Sequence, residues 1–466
     1  MKTSFISNDT IVALATPQGS GALGIIRISG KKAIAIASSV FVSRHKKPID
    51  LSKKASHTVH FGLIMDADLM LDEVLLTIFK SPRTYTAEDI IEISCHGSMF
   101  IQQNIIQLII KQGARMAQPG EFTLRAFING KLDLSQAEAV ADLIASNSAS
   151  SHQIALEQMR GGFSSKIKLL RQNLIDFASL IELELDFSEE DVEFANRNDL
   201  KQLVISIQHI VQRLIQSFEV GNVIKNGIPV AIVGKPNAGK STLLNELLQE
   251  DRAIVSEIPG TTRDVIEDEI VIDGVLFRFI DTAGIRQTTD IIESMGVAKT
   301  FEQIKLSSIV VYLFDAHEMT ASELQAIVAE LQQNLNQSQL LLVANKIDKE
   351  DTEAIEREFS QFINLVCISA KEKTNIDGLK GKLLAYFENQ TVNLTETIVT
   401  NARHVEALTN TNEALIRILE GLNSQVSGDF LAMDIRQALH YLGTITGEIS
   451  TDDILTSIFT RFCIGK

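Results

Sequence analysis

Three cysteines in 466 residues (Cys95, Cys367 and Cys463) are too few and too dispersed for a disulfide framework, which points to a reducing compartment. No stretch of about 18 apolar residues occurs, so no membrane-spanning helix is expected. The opening "MKTSFISNDT" also lacks the apolar run of a secretory signal. A surplus of positive charge is missing too: 43 Lys and Arg face 59 Asp and Glu, a formal charge of −16. Such a chain is not suited to holding a large nucleic acid broadly through counterion release, so any RNA must be held by a local basic patch or by a partner. The end, "RFCIGK", carries Cys463 where a C-a-a-X prenylation box would have it, but Gly465 and Lys466 do not fit the last two positions of that box. Repeats and low-complexity segments are absent. What remains is a soluble, cytoplasmic chain without a membrane anchor, long enough for about three domains.

The hydrophobic pattern divides this length into territories. Residues 1–131 mix alternating runs ("TIVALAT", "GIIRISG", "EVLLTIFK", "DIIEISC") with a helical stretch, "MFIQQNIIQLIIKQG", and so read as α+β. Over 132–226 the period becomes helical, with Ile167, Leu170, Leu174, Ile175 and Leu185 at three- and four-residue spacing. Strands and helices alternate over 227–390, as in a parallel sheet with crossover helices. Helices return over 391–466. Helical segments therefore flank the α/β segment on both sides, and one bundle interrupted by an inserted domain is the expected arrangement.

In the α/β segment, "VAIVGKPNAGKST" puts a hydrophobic strand directly before Gly234-x-x-x-x-Gly239-Lys240-Ser241. That spacing lets backbone N–H groups wrap phosphates, brings Lys240 to the β/γ oxygens and puts the Ser241 hydroxyl on Mg²⁺. "LLVANKIDK" places Asn345, Lys346, Ile347 and Asp348 at the end of a strand. An Asp there accepts two hydrogen bonds that only guanine can donate. "CISAKE" (Ser369, Ala370 and Lys371) is positioned for the guanine carbonyl, and "FIDTAG" supplies Asp281, Thr282, Ala283 and Gly284 for the Mg²⁺ shell and the γ-phosphate switch. The residue after that motif is Ile285, where Ras-type enzymes use Gln to orient the attacking water. Asp290 and Glu293 are the acidic candidates for that task, and the transition-state charge still needs a cation.

These motifs, together with "GIIRISG", "PGEFTLRAFINGKLDLSQAEAVADLI", "PGTTRD" and the terminal "FCIGK", resemble the bacterial TrmE-type tRNA modification GTPases, the MnmE family, over essentially the whole chain. The resemblance implies an N-terminal tetrahydrofolate-binding and dimerisation domain over 1–131. It also implies a helical domain formed by 132–226 and 391–466, and an inserted Ras-like P-loop domain over 227–390. GTP contacts then fall on Asn237, Ala238, Gly239, Lys240, Ser241 and Thr242, on Ser256, Glu257, Ile258, Pro259, Gly260, Thr261 and Thr262, and on the three later motifs. Potassium replaces the arginine finger, with ligands at Asn237, Ser256, Ile258 and Thr261, while Mg²⁺ is held by Ser241 and Thr262. Glu293 takes the water-orienting role.

A folate pocket is implied at Arg27, Glu92, Lys131 and Lys466, with 5-formyltetrahydrofolate or 5,10-methylenetetrahydrofolate as the ligand and Cys463 near the one-carbon unit. The implied activity is GTP-dependent modification at C5 of the wobble uridine of certain tRNAs to carboxymethylaminomethyluridine. It is carried out by a homodimer joined to two copies of the FAD protein MnmG. Apolar residues Ile454, Leu455, Ile458 and Phe459 at helical spacing are expected to dock the tail. Because the tail leaves a helical segment whereas Arg27 and Glu92 lie in the N-terminal one, a second protomer is expected to bring them together. A ribosome-assembly GTPase, the main rival, predicts basic flanks and no folate affinity.

Overall fold

The structure, a computed structural model, describes residues 9–186, 197–251, 268–280, 304–335, 338–349, 352–391, 397–424, 426–460 and 462–466. It has two compact units. The first comprises Met1–Ala141, Gln158–Asp186 and Ile435–Lys466, and the second Asp142–Glu157 and Phe187–Asp434. The elements in chain order begin with β1 (Ile11–Leu14), β2 (Leu23–Ser29), α1 (Ala33–Val40), β3 (Phe41–Val42), β4 (Thr58–Asp66), β5 (Leu69–Phe79) and β6 (Ile90–His96). There follow α2 (Met99–Lys111), β7 (Arg115–Met116), α3 (Glu121–Ile128), α4 (Leu134–Ala145), α5 (Ala149–Met159), α6 (Gly162–Asp186) and α7 (Arg197–Asn226).

Seven of these strands form one sheet, ordered β3-β4-β5-β6-β2-β1-β7 and antiparallel except where β1 meets β7. Alternation along β2 and β6 turns Ile26, Ile28, Ile91 and Ile93 into a core with Ile36 and Val40 of α1 and Ile105 and Ile109 of α2. The intervening residues face the other way. Register sets Arg27 directly opposite Glu92, so both side chains share the face away from that core.

The second unit continues with β8 (Ile228–Val233), α8 (Lys240–Asp251), β9 (Asp268–Ile272), β10 (Val275–Phe279), β11 (Ile309–Asp315), α9 (Ala321–Asn334), β12 (Gln339–Asn345), α10 (Thr352–Glu358), β13 (Leu365–Cys367) and α11 (Ile376–Thr391). Three more helices complete the chain, α12 (Ala402–Asn423), α13 (Gly428–Thr446) and α14 (Asp452–Phe459). A six-stranded sheet, β13-β12-β11-β8-β10-β9, is parallel apart from the β9–β10 hairpin. Its strands are buried on both faces, which is why they read as near-continuous Val, Ile and Leu. Helices α7 and α12, which come from either side of this α/β segment, pack against each other.

The tail belongs to the first unit. Thr451 caps α14 by accepting from Ile454 N–H, and Asp452 and Asp453 sit in the first turn, where the helix dipole favours negative charge. Leu455, Ile458, Phe459 and Phe462 pack on Leu124 of α3 and on Leu134 and Ala137 of α4.

Among the described residues, no helix is long and apolar enough to cross a membrane.

Candidate functional site

In an open parallel sheet, ligands bind beyond the carboxyl ends of the strands, and three loops of the second unit meet there. The phosphate loop leaves β8, next to the centre of the sheet, and runs into α8. Asn237 lies in the left-handed region (φ 62°), which an Asn tolerates; turns of this kind can present successive backbone N–H groups to an anion. Gly239 has φ 102°, and a Cβ there would run into the Asn345 amide, so only glycine lets the two loops touch. Lys240 donates to the carbonyls of Gly234 (2.7 Å) and Lys235 (2.9 Å), and burial lowers its ammonium below the usual lysine value. Ser241 and Thr242 lie in the first turn of α8, where the helix dipole favours anions.

Asn345 joins this loop to the other two. Its Nδ2 donates to Ala238 O at 2.8 Å and its Oδ1 accepts from Ala370 N–H at 3.0 Å. Only 3% of its surface is exposed, and both of these bonds are to loop backbone. Beyond it, Asp348 in the 3-10 turn Ile347–Lys349 accepts from Ser369 Oγ at 2.5 Å. Ala370 and Ile347 are buried, whereas Lys371 is exposed and pairs with Glu372 at 3.0 Å.

Two contributors were not singled out in the sequence. Asp315, at the end of β11, pairs with Lys346 Nζ at 2.6 Å and accepts from His317 N–H at 3.0 Å, while His317 Nε2 meets Lys346 O at 2.9 Å. Burial would raise the Asp315 carboxyl, but Lys346 and the His317 N–H reverse this and hold it below the ordinary range. Its only signal in the sequence was a buried strand ending in Asp next to the strand that ends in Asn345.

Ser256, Glu257, Ile258, Pro259, Gly260, Thr261 and Thr262 lie outside the described residues, as do Asp281, Thr282, Ala283, Gly284, Asp290 and Glu293.

A second cluster occupies the open face of the seven-stranded sheet. Arg27 Nε donates to Glu92 Oε1 at 2.8 Å, and its Nη2 meets the same oxygen at 2.8 Å. Its guanidinium lies 5.8 Å from the centre of the Tyr85 ring and 5.7 Å from that of Phe122, close enough for cation–π attraction. Burial raises the Tyr85 hydroxyl above its usual value, although Thr123 and Arg27 oppose the shift.

The tail closes one side. Arg27 Nη1 donates to Gly465 O at 3.4 Å, Phe122 N–H to Lys466 O at 3.2 Å and Gly120 N–H to Cys463 O at 3.4 Å, with a bridge between Pro119 and Ile464. Gly465 (φ 101°) lies so close to Leu14 O that no Cβ fits. Cys463 is exposed. Lys131 is exposed just beyond α3, with no contact to Arg27 among the described residues.

The expectation that a second protomer must deliver the tail is therefore corrected. The tail reaches Arg27 within one chain, because α14 packs on α3 and α4, which follow directly from the sheet.

The family profile described as "GTP-binding protein TrmE N-terminus" matches residues 10–131, and that of the "MnmE helical domain" matches residues 134–463. Curated proteins named "tRNA modification GTPase MnmE" align along their full length. That of Cytophaga hutchinsonii is 55% identical over 100% of both chains, and that of Flavobacterium psychrophilum is 56% identical over 99% of this chain and 100% of its own. The Bacteroides fragilis protein is 51% identical over 99% and 100%. With its phosphate and base loops clasped by one asparagine and its terminal FCIGK tail seated on the N-terminal sheet, this chain belongs to the MnmE family of tRNA modification GTPases.

Proposed function

We propose that this chain is a potassium-dependent GTPase which, with the FAD protein MnmG and a folate one-carbon donor, converts the wobble uridine of certain tRNAs to the carboxymethylaminomethyl form. The observation that carries the nucleotide half is the Asn345 clasp, which holds the phosphate loop, the base-reading Asp348 and the Ser369–Lys371 loop as one rigid receptor. Its division of labour follows the sequence segments: folate and dimer contacts over 1–131, hydrolysis over 227–390, and helices over 132–226 and 391–466. The homodimer, the two-plus-two assembly with MnmG and the cytoplasmic location belong to the same reading.

Ser241 at the start of α8 suits a Mg²⁺ ligand, and Thr262 would complete the pair. The family resemblance assigns Asn237, which has a left-handed backbone, to a monovalent cation together with Ser256, Ile258 and Thr261. Bound potassium would supply the positive charge that an arginine finger supplies in other GTPases. Hydrolysis should then be several-fold faster in KCl than in matched NaCl, since Na⁺ is too small for ligands spaced for K⁺. In the same assay Glu293→Ala should lose most turnover with nucleotide affinity near that of the parent, because a water-orienting acid acts in the transition state. Equal rates in the two salts would remove the ion from the mechanism, and a fully active Glu293→Ala would return the role to Asp290.

The Arg27–Glu92 pair fits a folate. Every Arg27 contact to this carboxylate uses Oε1, which leaves Oε2 to accept from a ring amide, and Tyr85 and Phe122 offer aromatic walls. The folate would supply the one-carbon unit. Removing residues 463–466 should abolish binding of 5-formyltetrahydrofolate in a calorimetric titration while GTP turnover persists. Cys463→Ser should retain both but lose wobble-uridine modification. Wild-type modification by Cys463→Ser would reduce the cysteine to a spacer. No folate affinity in the parent would favour a GTPase of ribosome assembly.

A further inference from the structure

Within a chain of net charge −16, residues 31–54 hold seven Lys and Arg against one carboxylate, Asp50. The structure gathers most of these cations at one edge of the first unit. Strand β3 is the edge strand, and the turn after it is closed by Ser43 N–H to Lys47 O (2.8 Å) and Lys46 N–H to Ser43 O (2.8 Å), which leaves Arg44, Lys46 and Lys47 exposed. The chain then returns alongside α1, where Leu51 N–H donates to Ser38 Oγ at 3.3 Å, and a 3-10 turn (Leu51–Lys53) displays Lys53 and Lys54. Lys80, at the end of β5, joins them by donating to Ser52 O at 2.7 Å.

Six cations thus cluster with little local neutralisation. Asp50 pairs with Lys53 at 3.3 Å, with both side chains at least half exposed, so that pair is weak and readily exchanged. The field of Lys54 is felt at His60, whose imidazole is lowered mainly by burial and further by this cation.

We propose that this edge is a docking surface for the phosphate backbone of RNA, formed by Arg44, Lys46, Lys47, Lys53, Lys54 and Lys80. The proposal rests on the reading that the protein acts on tRNA. Several observations select RNA over other polyanions. The cations are spread over a turn, a 3-10 turn and a strand end rather than along one amphipathic helix, as a membrane-surface site would have them. Four strand-to-strand steps lead from β3 to β2, which at about 4.8 Å per step puts the patch roughly 19 Å from Arg27, a distance one RNA stem can span. A solvated edge has its own use, since lysines on an edge strand deter strand pairing between molecules. That role makes no prediction about RNA.

The test uses the full-length chain and unmodified tRNA, with affinity measured by filter binding from 50 to 200 mM KCl. The triple variant Arg44→Gln/Lys46→Gln/Lys47→Gln should bind about ten-fold more weakly at the higher salt. Its plot of log affinity against log salt should be shallower by roughly 2 to 3, about 0.9 for each phosphate that the variant no longer neutralises. GTP turnover and melting temperature should stay at parent values. Lys53→Gln/Lys54→Gln, built separately, should reproduce the change at smaller size. Parent-like affinity and slope in both variants would overturn the proposal while leaving the tRNA reading intact. A parent that fails to bind tRNA on its own would overturn the docking surface and leave the holding of tRNA to the partner. Variants that only aggregate would assign the lysines to edge protection. Binding of the parent to vesicles of phosphatidylserine and phosphatidylcholine, lost in the variants with tRNA binding unchanged, would assign the patch to a membrane surface.

Discussion

Asn345→Ala is expected to weaken GTP and GDP binding by about 100-fold. The substitution removes both partners of a buried clasp and strands Ala238 O and Ala370 N–H without their hydrogen bonds. Each orphaned buried group costs about 1–3 kcal/mol, so the arrangement that binds nucleotide should fall by about 3 kcal/mol relative to looser ones. Observed affinity drops in proportion to the competent fraction, and about 2.8 kcal/mol is a factor of 100. Titration with a fluorescent GDP analogue reads this directly. An affinity within about three-fold of the parent would mean that the loops keep their places without the clasp.

Arg125→Met should destabilise the first unit by about 3–5 kcal/mol, the usual cost of removing one member of a buried charge network. Arg125 is 7% exposed and meets Asp9 at 2.8 Å, Glu121 at 3.0 Å and Glu88 at 3.2 Å. Arg115 shares Asp9 and Glu121 with it, at 2.6 and 2.7 Å. Without Arg125, Glu88 would lose its guanidinium, and Asp9 and Glu121 would keep only that of Arg115. For a unit of this size the loss corresponds to a fall in melting temperature on the order of 10 °C, measurable by calorimetry. A shift under about 2 °C would show that water compensates the carboxylates.

The same network sets an acid limb. Burial pushes Glu121 up, but Arg115, the Gln118 N–H and Arg125 together bring it below the ordinary glutamate value of 4.5. A depressed carboxyl contributes stability that is present above that ordinary value and is lost as pH falls through the lower folded one. The parent should therefore lose stability in that acid window, and the variant should lose less. Because Gly120 and Phe122 at the start of α3 hold Cys463 and Lys466, tail docking should weaken along with it.

The strands and helices that carry the expected nucleotide motifs were legible because those motifs are contiguous. A phosphate loop and a base-reading loop each need particular residues at fixed spacing, and each follows a strand whose apolar run is plain. The alternating runs likewise marked β1, β2, β5 and β6, and the helical stretch marked α2. By contrast β3 and α1 had no such signature. Strand β3 is only two residues long, and α1 is a short run of Ala, Ile and Ser whose burial comes from the sheet beneath it.

The sequence by itself marked the phosphate loop and the expected guanine-reading Asp348, because each depends on residue type and local spacing, whereas the Arg27–Glu92 pair and the cysteine-bearing tail entered only through the family resemblance. Only the tertiary structure decided which of these groups meet. Strand register set Arg27 against Glu92, 65 residues apart in sequence, and the packing of α14 on α3 and α4 brought Gly465 to Arg27 across 438 residues of the same chain. Asn345 became the joint of three loops, and Asp315 and His317 the brace behind Lys346, for the same reason. Contacts between distant segments are fixed by how buried apolar faces stack, and no local pattern of residues encodes that stacking.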